Sequence, residues 1–428
     1  MTKKLFGLAG LLFLVLARLG AASYAYVSND SNSVFYIDTT TNTVAGEVAD
    51  PSGLLNAISF VAISPNEQKV YVANDDGTIS IIITSTQEVI GNINAPVGTF
   101  DIIRSITFSP NGKKAYVVDG GNLTVSVIDV ATDSLDHQVS GLVVPGIDTL
   151  YYVVFTPDGK WAYVPITQAS PGTVAVIDAT ADAVVQSIVS PEFNFPRAIA
   201  IAPDGKIIYV GNNGSTTISR IDTTTNTVMS PATSDPALTN MQSFALTPDG
   251  QKLYTNNFSA IFSLNTVTGA VTGPYAIPVD SEIASLGVTP DGKTLYAPNA
   301  AGTTVITIDV ASDAVGAVVD TGSVFDQPKW LGMPGSVQAP TGLKSTKTSD
   351  TFLAQVDLIN ALSWTAPTGI APASYSVYRN DALTDLAGTT QTTSFADHNR
   401  NPGVPYTYYV VSVSQFGIKS SPAILTVP

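Results

Sequence analysis

One repeat governs what this chain can fold into. A proline-led turn, Pro-Asp-Gly-Lys or a variant of it, recurs at Pro65, Pro110, Pro157, Pro203, Pro248 and Pro290, at spacings of 45, 47, 46, 45 and 42 residues. Tyr-Val-x-Asn or a variant appears seven times, at Tyr26, Tyr71, Tyr116, Tyr163, Tyr209, Tyr254 and Tyr296. An alternating strand that ends in a polar turn follows each: Val34 to Asp38, Ile79 to Ile83, Val125 to Asp129, Val174 to Asp178, Ile218 to Asp222, Ile261 to Asn265 and Val305 to Asp309. Short apolar runs ahead of the turns, such as Ile106 to Phe108 and Ile199 to Ile201, read as strands buried on both faces. Proline presets its own φ, aspartate bonds back to nearby amides, and glycine accepts the positive φ of a tight reversal. Residues 26 to 335 carry no sustained helical period, so a four-stranded unit every 42 to 47 residues predicts propeller blades.

The blade count closes from the sequence. The strand at Tyr26 has no proline-turn strand before it, so blade one lacks its innermost strand. The segment Pro328-Lys329-Trp330-Leu331-Gly332-Met333-Pro334-Gly335 resembles Pro196-Arg197-Ala198-Ile199-Ala200-Ile201-Ala202-Pro203, one residue shorter. We therefore expect an all-β chain with seven blades, residues 328–335 completing blade one. That overlap would close the ring without a disulfide, which a chain with no cysteine requires, and would leave no open sheet edge at the seam.

These seven Tyr-Val-x-Asn repeats joined to Pro-Asp-Gly turns resemble the YVTN β-propeller repeat family of secreted and surface-layer proteins, over residues 26 to 335. The resemblance implies a propeller whose relatives are mostly binding or scaffold proteins, with a lactonase-like enzyme branch and cofactor-bearing dehydrogenases among structural relatives. After a linker at 336–341, residues 342–428 resume period-2 strands around Trp364, Tyr375 to Asn380 and Tyr406 to Val410. They resemble a fibronectin type III domain, a β-sandwich, with Trp364 in the core and Tyr406 or Tyr408 as the corner tyrosine that bonds back to upstream backbone.

The N-terminus reads as a secretory signal. Lys3 and Lys4 precede an apolar run from Leu5 to Leu16 that is too short to span a bilayer, and small residues follow at Ala21 to Ala25. The expected cut falls after Ala22 or Ala25, the latter preferred, which makes 1–25 the signal peptide and 26 the first propeller residue. The exported protein is then extracellular, at the cell surface or periplasmic, with no transmembrane anchor after cleavage. A formal charge of −15 excludes phosphate-backbone binding, so no nucleic-acid partner is expected.

Catalytic chemistry has little to build on. There is no nucleophile elbow, no phosphate-cradling glycine loop, and only His137 and His398 as histidines. Loop acids are more numerous: Asp75, Asp76, Asp101, Asp119, Asp148, Glu192, Asp280, Glu282 and Asp326 fall where blades place turns. Two such acids at the right separation would serve a glycan-cleaving or lactonase-like hydrolase, and ordinary turn chemistry explains them equally. Asn74-Asp75-Asp76-Gly77 resembles half a calcium loop without its bidentate glutamate, so calcium at Asp75 and Asp76 is the one cofactor the sequence admits.

Position is more informative than motif. Six residues before each turn proline, where the innermost strand begins, stand Ser59, Arg104, Tyr151, Arg197, Gln242 and Ala284, with Lys329 and its neighbour Trp330 in the closing strand. Three cations thus ring one mouth of the channel. They either form a funnel for an anionic or carbohydrate ligand, or pair with loop acids, Arg104 with Asp101 and Arg197 with Glu192. The preferred expectation is the paired one, in a non-enzymatic binding, adhesion or scaffold protein whose partner is a protein or glycan at the cell surface. A hydrolase using the loop acids, and self-assembly into a surface layer or filament, are the alternatives.

Overall fold

The computed structural model describes residues 24–29, 32–142, 149–167, 170–278, 281–316, 318–320, 331–333 and, in the C-terminal part, 341–352, 355–367, 372, 374–379, 385–398, 400–401, 404–413, 420 and 422–427. Every regular element among them is a β-strand. Seven antiparallel sheets lie between Tyr24 and Gly332, six of them made of strands that follow one another in the chain, and together they form a seven-bladed β-propeller. Blade two shows the plan: Ile58–Ile63, Lys69–Asn74, Ile79–Ile83 and Glu88–Asn92, in that order. The first strands of adjacent blades contact one another, which places them around the axis. The second strand is buried on both faces, as in Lys69–Asn74 and Lys114–Asp119, because each blade is packed between two others.

Leu331–Gly332 closes blade one; of the expected segment 328–335, residues 328–330 and 334–335 lie outside the described residues. Leu331–Gly332 pairs with Tyr24–Ser28 in the register Tyr26 to Gly332 and Val27 to Leu331, the match of Tyr209 to Ala200 and Val210 to Ile199 in blade five. The strand itself begins at Tyr24, two residues before the boundary drawn at 26. Ala25 is fully buried and pairs with Ile37.

The repeated tyrosine joins each blade to the next. Its ring is buried in the second strand, and its hydroxyl donates to a side chain in the outer hairpin of the following blade: Tyr26 to Gln87, Tyr71 to Asp133, Tyr116 to Asp182, Tyr163 to Asn226, Tyr254 to Asp313, and, across the closure, Tyr296 to Asn42. Each acceptor occupies a left-handed position, φ between 50° and 58°, which Asn and Asp tolerate better than most residues. At three seams a lysine joins the same carboxylate: Lys69 on Asp133, Lys114 on Asp182, Lys252 on Asp313. Burial, and in four of the rings the facing carboxylates, pushes the Tyr71, Tyr116, Tyr254 and Tyr296 phenols far above their usual value, so these donors stay protonated. The backbone reinforces three of these seams, where the outgoing segment of one blade bonds the hairpin of the next, as Asn94 N–H does to Asp133 C=O.

The proline-led turns form a second ring. In five of the six, glycine has φ near +70° (Glu67 holds the place in the Pro65 turn), and at two of them a Cβ would press on the proline of the preceding turn: Gly205 on Pro157 at 2.9 Å, Gly250 on Pro203 at 2.9 Å. Glycine is thus needed for both conformation and clearance.

Two sheets make up the C-terminal part: Thr341–Phe352, Gln355–Thr365 and Ser394–Asp397 in one, and Leu386–Thr390, Ser374–Tyr378, Tyr406–Val413 and Ala423–Val427 in the other. The first strand begins at Thr341, one residue inside the expected linker. Leu362 and Trp364 of the first sheet pack with Tyr375, Val377, Tyr408 and Val410 of the second. The Tyr406 hydroxyl accepts from the Asn401 backbone N–H, as the corner tyrosine of such a sandwich does. Tyr408 instead donates to buried Asp397, which also takes two hydrogen bonds from Arg379.

Two expectations follow. Asp182→Ala strips Tyr116 and Lys114 of their shared acceptor and should lower unfolding free energy by about 2–4 kcal/mol, read by urea denaturation. Hydrogen bonds from Thr132, Thr180, Thr224 and Ser312, hydroxyl and amide alike, hold Asp129, Asp178, Asp222 and Asp309 below the usual carboxylate range. Depressed folded-state values stabilise above the unfolded value near about 4 and cease to do so as pH falls through the folded one. The melting temperature should therefore be flat from pH 7 to 5 and fall below about pH 4.

Candidate functional site

The mouth residues owe their direction to breaks in register. In blade two the pairing steps from Ile58–Asn74 to Phe60–Ala73, leaving Ser59 extra. Blade three steps from Ile103–Asp119 to Ser105–Val118 around Arg104, and blade five from Pro196–Asn212 to Ile199–Val210 around Arg197. In blade four the innermost strand is split into Thr149–Leu150 and Val154–Phe155, with Tyr151 and Tyr152 in the gap. A β-bulge re-aims the side chain it carries, and here one opens at the same place in four successive blades.

The last residue of the Tyr-Val-x-Asn motif holds the lead-in to three of these bulges; in blade four it is Ile166, which has no acceptor. The fully buried Asn74 side chain accepts from Asn56 N–H, Asp119 from Asp101 and Ile102 N–H, and Asn212 from Asn194 N–H. Left-handed residues precede two of the bulges, Ala57 and Phe195 with φ of 45° and 50°, and Asn240, φ 52°, stands at the corresponding place before Gln242 in blade six. For a phenylalanine this is a strained conformation worth about 1–3 kcal/mol, maintained two residues before Arg197.

Arg104 and Arg197 converge on one ring. Their Cζ atoms lie 5.3 and 4.0 Å from the centroid of Tyr151. Both Nε atoms are buried without a hydrogen-bond partner, and neither guanidinium makes an ion pair among the described residues. The expected pairings do not form. The Asp101 backbone is tied to Asp119, with its side chain exposed over Gly121, and the Glu192 carboxylate takes the Ser230 hydroxyl on the outer side of its blade. Burial raises the Tyr152 phenol pKa, and Arg197 and Arg104 oppose that shift. Two positive charges thus share a tyrosine face whose cation–π attraction, about 1–2 kcal/mol each, leaves their charge unneutralised.

Gly120 makes room for this cluster: a Cβ there would meet Arg104 Cγ at 2.9 Å, its Nε at 3.1 Å and the Leu150 carbonyl at 3.1 Å. Gln242 is buried, donates to Asn240, and leaves its Oε1 unbonded; Ser59 reaches only the Ala73 carbonyl. Lys329 and Trp330 lie outside the described residues, as do Asp148, Asp280 and Asp326. Exposed Ile102 and Phe195 stand two residues ahead of Arg104 and Arg197 and give the mouth an apolar flank.

The other candidates are not brought to this mouth. Asp76 is engaged by the Thr78 hydroxyl and amide and by Asn56, Asp75 has no partner acid, and among the described residues no three His, Asp or Glu side chains gather as a metal site would need. His137 lies 3.2 Å from Asp182 at the outer hairpin, and His398 belongs to the sandwich.

The family model described as lactonase, 7-bladed β-propeller, matches residues 103–238, a stretch that contains Arg104, Tyr151 and Arg197. Among solved structures the chain is similar to the hydrazine synthase of Kuenenia stuttgartiensis, with 22% identity over 70% of this chain and 93% of that one and a TM-score of 0.55. It is also similar to a candidate 6-phosphogluconolactonase of Bacteroides fragilis, 17% identical over 73% and 97% with a TM-score of 0.58, and to one of Bacteroides uniformis, 18% identical over 73% and 99% with a TM-score of 0.57. At these identities the structures establish a common fold. No curated protein is matched by the chain.

The arrangement suits an anion held between two guanidinium edges. Gly120→Ala is expected to push Arg104 off Tyr151 and to weaken inorganic phosphate binding about tenfold by calorimetry, the equivalent of one charge-assisted hydrogen bond, with the melting temperature little changed.

Proposed function

We propose that this propeller binds a small anionic ligand, a carboxylate- or phosphate-bearing sugar derivative, at its channel mouth. One observation carries the reading: two half-buried arginines, each with a buried and unbonded Nε, meet at a single tyrosine ring, and neither forms an ion pair among the described residues. Like charges so placed repel, and an anion between them converts that repulsion into two charge-assisted contacts. Tyr151 offers a stacking face, and Ile102 and Phe195 an apolar flank for the rest of the molecule.

A second reading, a hydrolase of the lactonase type, is favoured by the family match over residues 103–238 and by the two lactonase candidates among the structural neighbours. It uses the same mouth and differs only in whether the bound ring opens. Titration of the protein with gluconate, 6-phosphogluconate and phosphate, beside a lactone-opening assay, separates the two. The binding reading expects at least a 100-fold loss of affinity in Arg104→Ala/Arg197→Ala and no lactone opening by either protein. Lactone opening that the double variant abolishes would establish the hydrolase, and anion binding unaffected by the double variant would remove function from the mouth.

The sandwich supports a fibronectin type III assignment through its sheet order, its Trp364 core and its Tyr406 corner, and we assign it the role of a spacer that holds the propeller away from its attachment. We further propose that the protein is exported and that its leader is removed after Ala22, because a cut after Ala25 would discard Tyr24 and the buried Ala25 from the first strand. N-terminal sequencing of exported protein should read Ser-Tyr-Ala-Tyr-Val; a start at Tyr26 would contradict this.

A further inference from the structure

Gln242 brings to the mouth a kind of group that the arginines lack, a hydrogen-bond acceptor. It occupies in blade six the place that Arg197 holds in blade five, and the inner strands of these two blades are in contact. Two observations bring the positions together. A Cβ on Gly211 would meet Phe244 of blade six at 2.8 Å and Ala198, the residue after Arg197, at 3.2 Å. A chain of hydrogen bonds also links them: Asn213 N–H donates to the Phe195 carbonyl, and the Asn213 side-chain amide reaches Asn240 Oδ1 at 3.4 Å. Gln242 Nε2 then donates to the Asn240 carbonyl at 2.7 Å and to Asn240 Oδ1 at 2.9 Å.

The bond to a backbone carbonyl fixes which way the Gln242 amide faces, because only its NH2 end can donate. Oε1 is the end left over. Gln242 is 2% exposed, and its Oε1 has no hydrogen-bond partner. An acceptor buried in this way destabilises the fold until a donor reaches it, and such groups are rare enough in native proteins that each calls for an explanation. Arg104 and Arg197 lie over Tyr151 and leave Oε1 unserved.

We propose that Gln242 reads a hydroxyl of the ligand at the mouth, so that the site selects a polyhydroxy acid over a simple anion. The proposal rests on the anion-binding reading of the mouth and adds to it the residue that tells one anion from another. The charged end would lie on Arg104 and Arg197, whose guanidinium groups can only donate, and a hydroxyl further along the molecule would donate to Gln242 Oε1. A site with a buried group awaiting a hydroxyl disfavours the analogue without it, because that group then stays unpaired.

Calorimetric titration with gluconate, its singly deoxygenated analogues, hexanoate and phosphate tests this in wild type, Gln242→Met and Arg104→Ala/Arg197→Ala. Wild type should bind one deoxygenated analogue about tenfold more weakly than gluconate, the effect of one hydrogen bond. Gln242→Met, close to glutamine in volume, should weaken gluconate by the same factor, bind that analogue as wild type does, and leave hexanoate and phosphate unchanged, which also shows that the variant is folded. Should it fail to fold, the analogue series on wild type decides alone: equal affinity for gluconate and every analogue overturns the proposal. An equal loss for all ligands in Gln242→Met would make Gln242 a packing residue, and no loss for gluconate would leave its Oε1 to a bound water; either result overturns the proposal. Anion binding untouched by the arginine double variant would overturn the reading of the mouth, and this proposal with it.

Discussion

A closed ring of blades is as strong as its seams, and here the seam is a buried hydroxyl reaching across to a neighbour's turn. Each tyrosine is packed in one blade and bonded to the next, so neither blade satisfies that group alone. A buried phenol without its acceptor would cost about 1–3 kcal/mol, and its repetition around the ring makes the assembled propeller cooperative. The backbone conformation of the acceptor is part of the device. Asn42, Asp133, Asp182, Asn226 and Asp313 combine a left-handed φ with a side-chain oxygen, which explains why this hairpin position is so restricted in chemistry. The overlap of Leu331–Gly332 with the first strand makes the last seam equivalent to the others, with Tyr296 reaching Asn42 across the chain closure.

That rigidity has a use at the other end of the strands. A bulge costs a ladder its regular pairing, and a left-handed phenylalanine costs more; both persist beside Arg197 because the surrounding blades determine the backbone. The motif asparagines supply the local restraint, each holding the lead-in to a bulge from the buried strand behind it. The result is two arginines delivered to one tyrosine without the acids that would ordinarily accompany them. Sequence proximity suggested Asp101 and Glu192 as partners, but Glu192 takes the hydroxyl of Ser230, in the outer strand of the next blade, and Asp101 stays exposed over Gly121.

Much of this was legible in the residues. The blade number, the strand order within a blade, the closing role of Leu331 and Gly332 and the sandwich core around Trp364 all follow from repeat period and two-residue alternation, which local chemistry enforces. Counting back from the turn prolines also found Arg104, Tyr151 and Arg197 as equivalent positions. The tyrosine contacts escaped notice because hydroxyl and acceptor are roughly sixty residues apart, one blade removed, and nothing within a single repeat reveals the partner.

The sequence by itself therefore determined the fold, because strand, turn and period are properties of short segments repeated until a ring must close. Only the tertiary structure decided that two of the three expected cations meet over one ring, that neither Asp101 nor Glu192 pairs with them, and that one seam of seven has glycine where the others have an acceptor side chain. Those outcomes depend on the tilt of adjacent blades and on bulges that shift a side chain by one position, and such geometry arises only when the blades pack against one another.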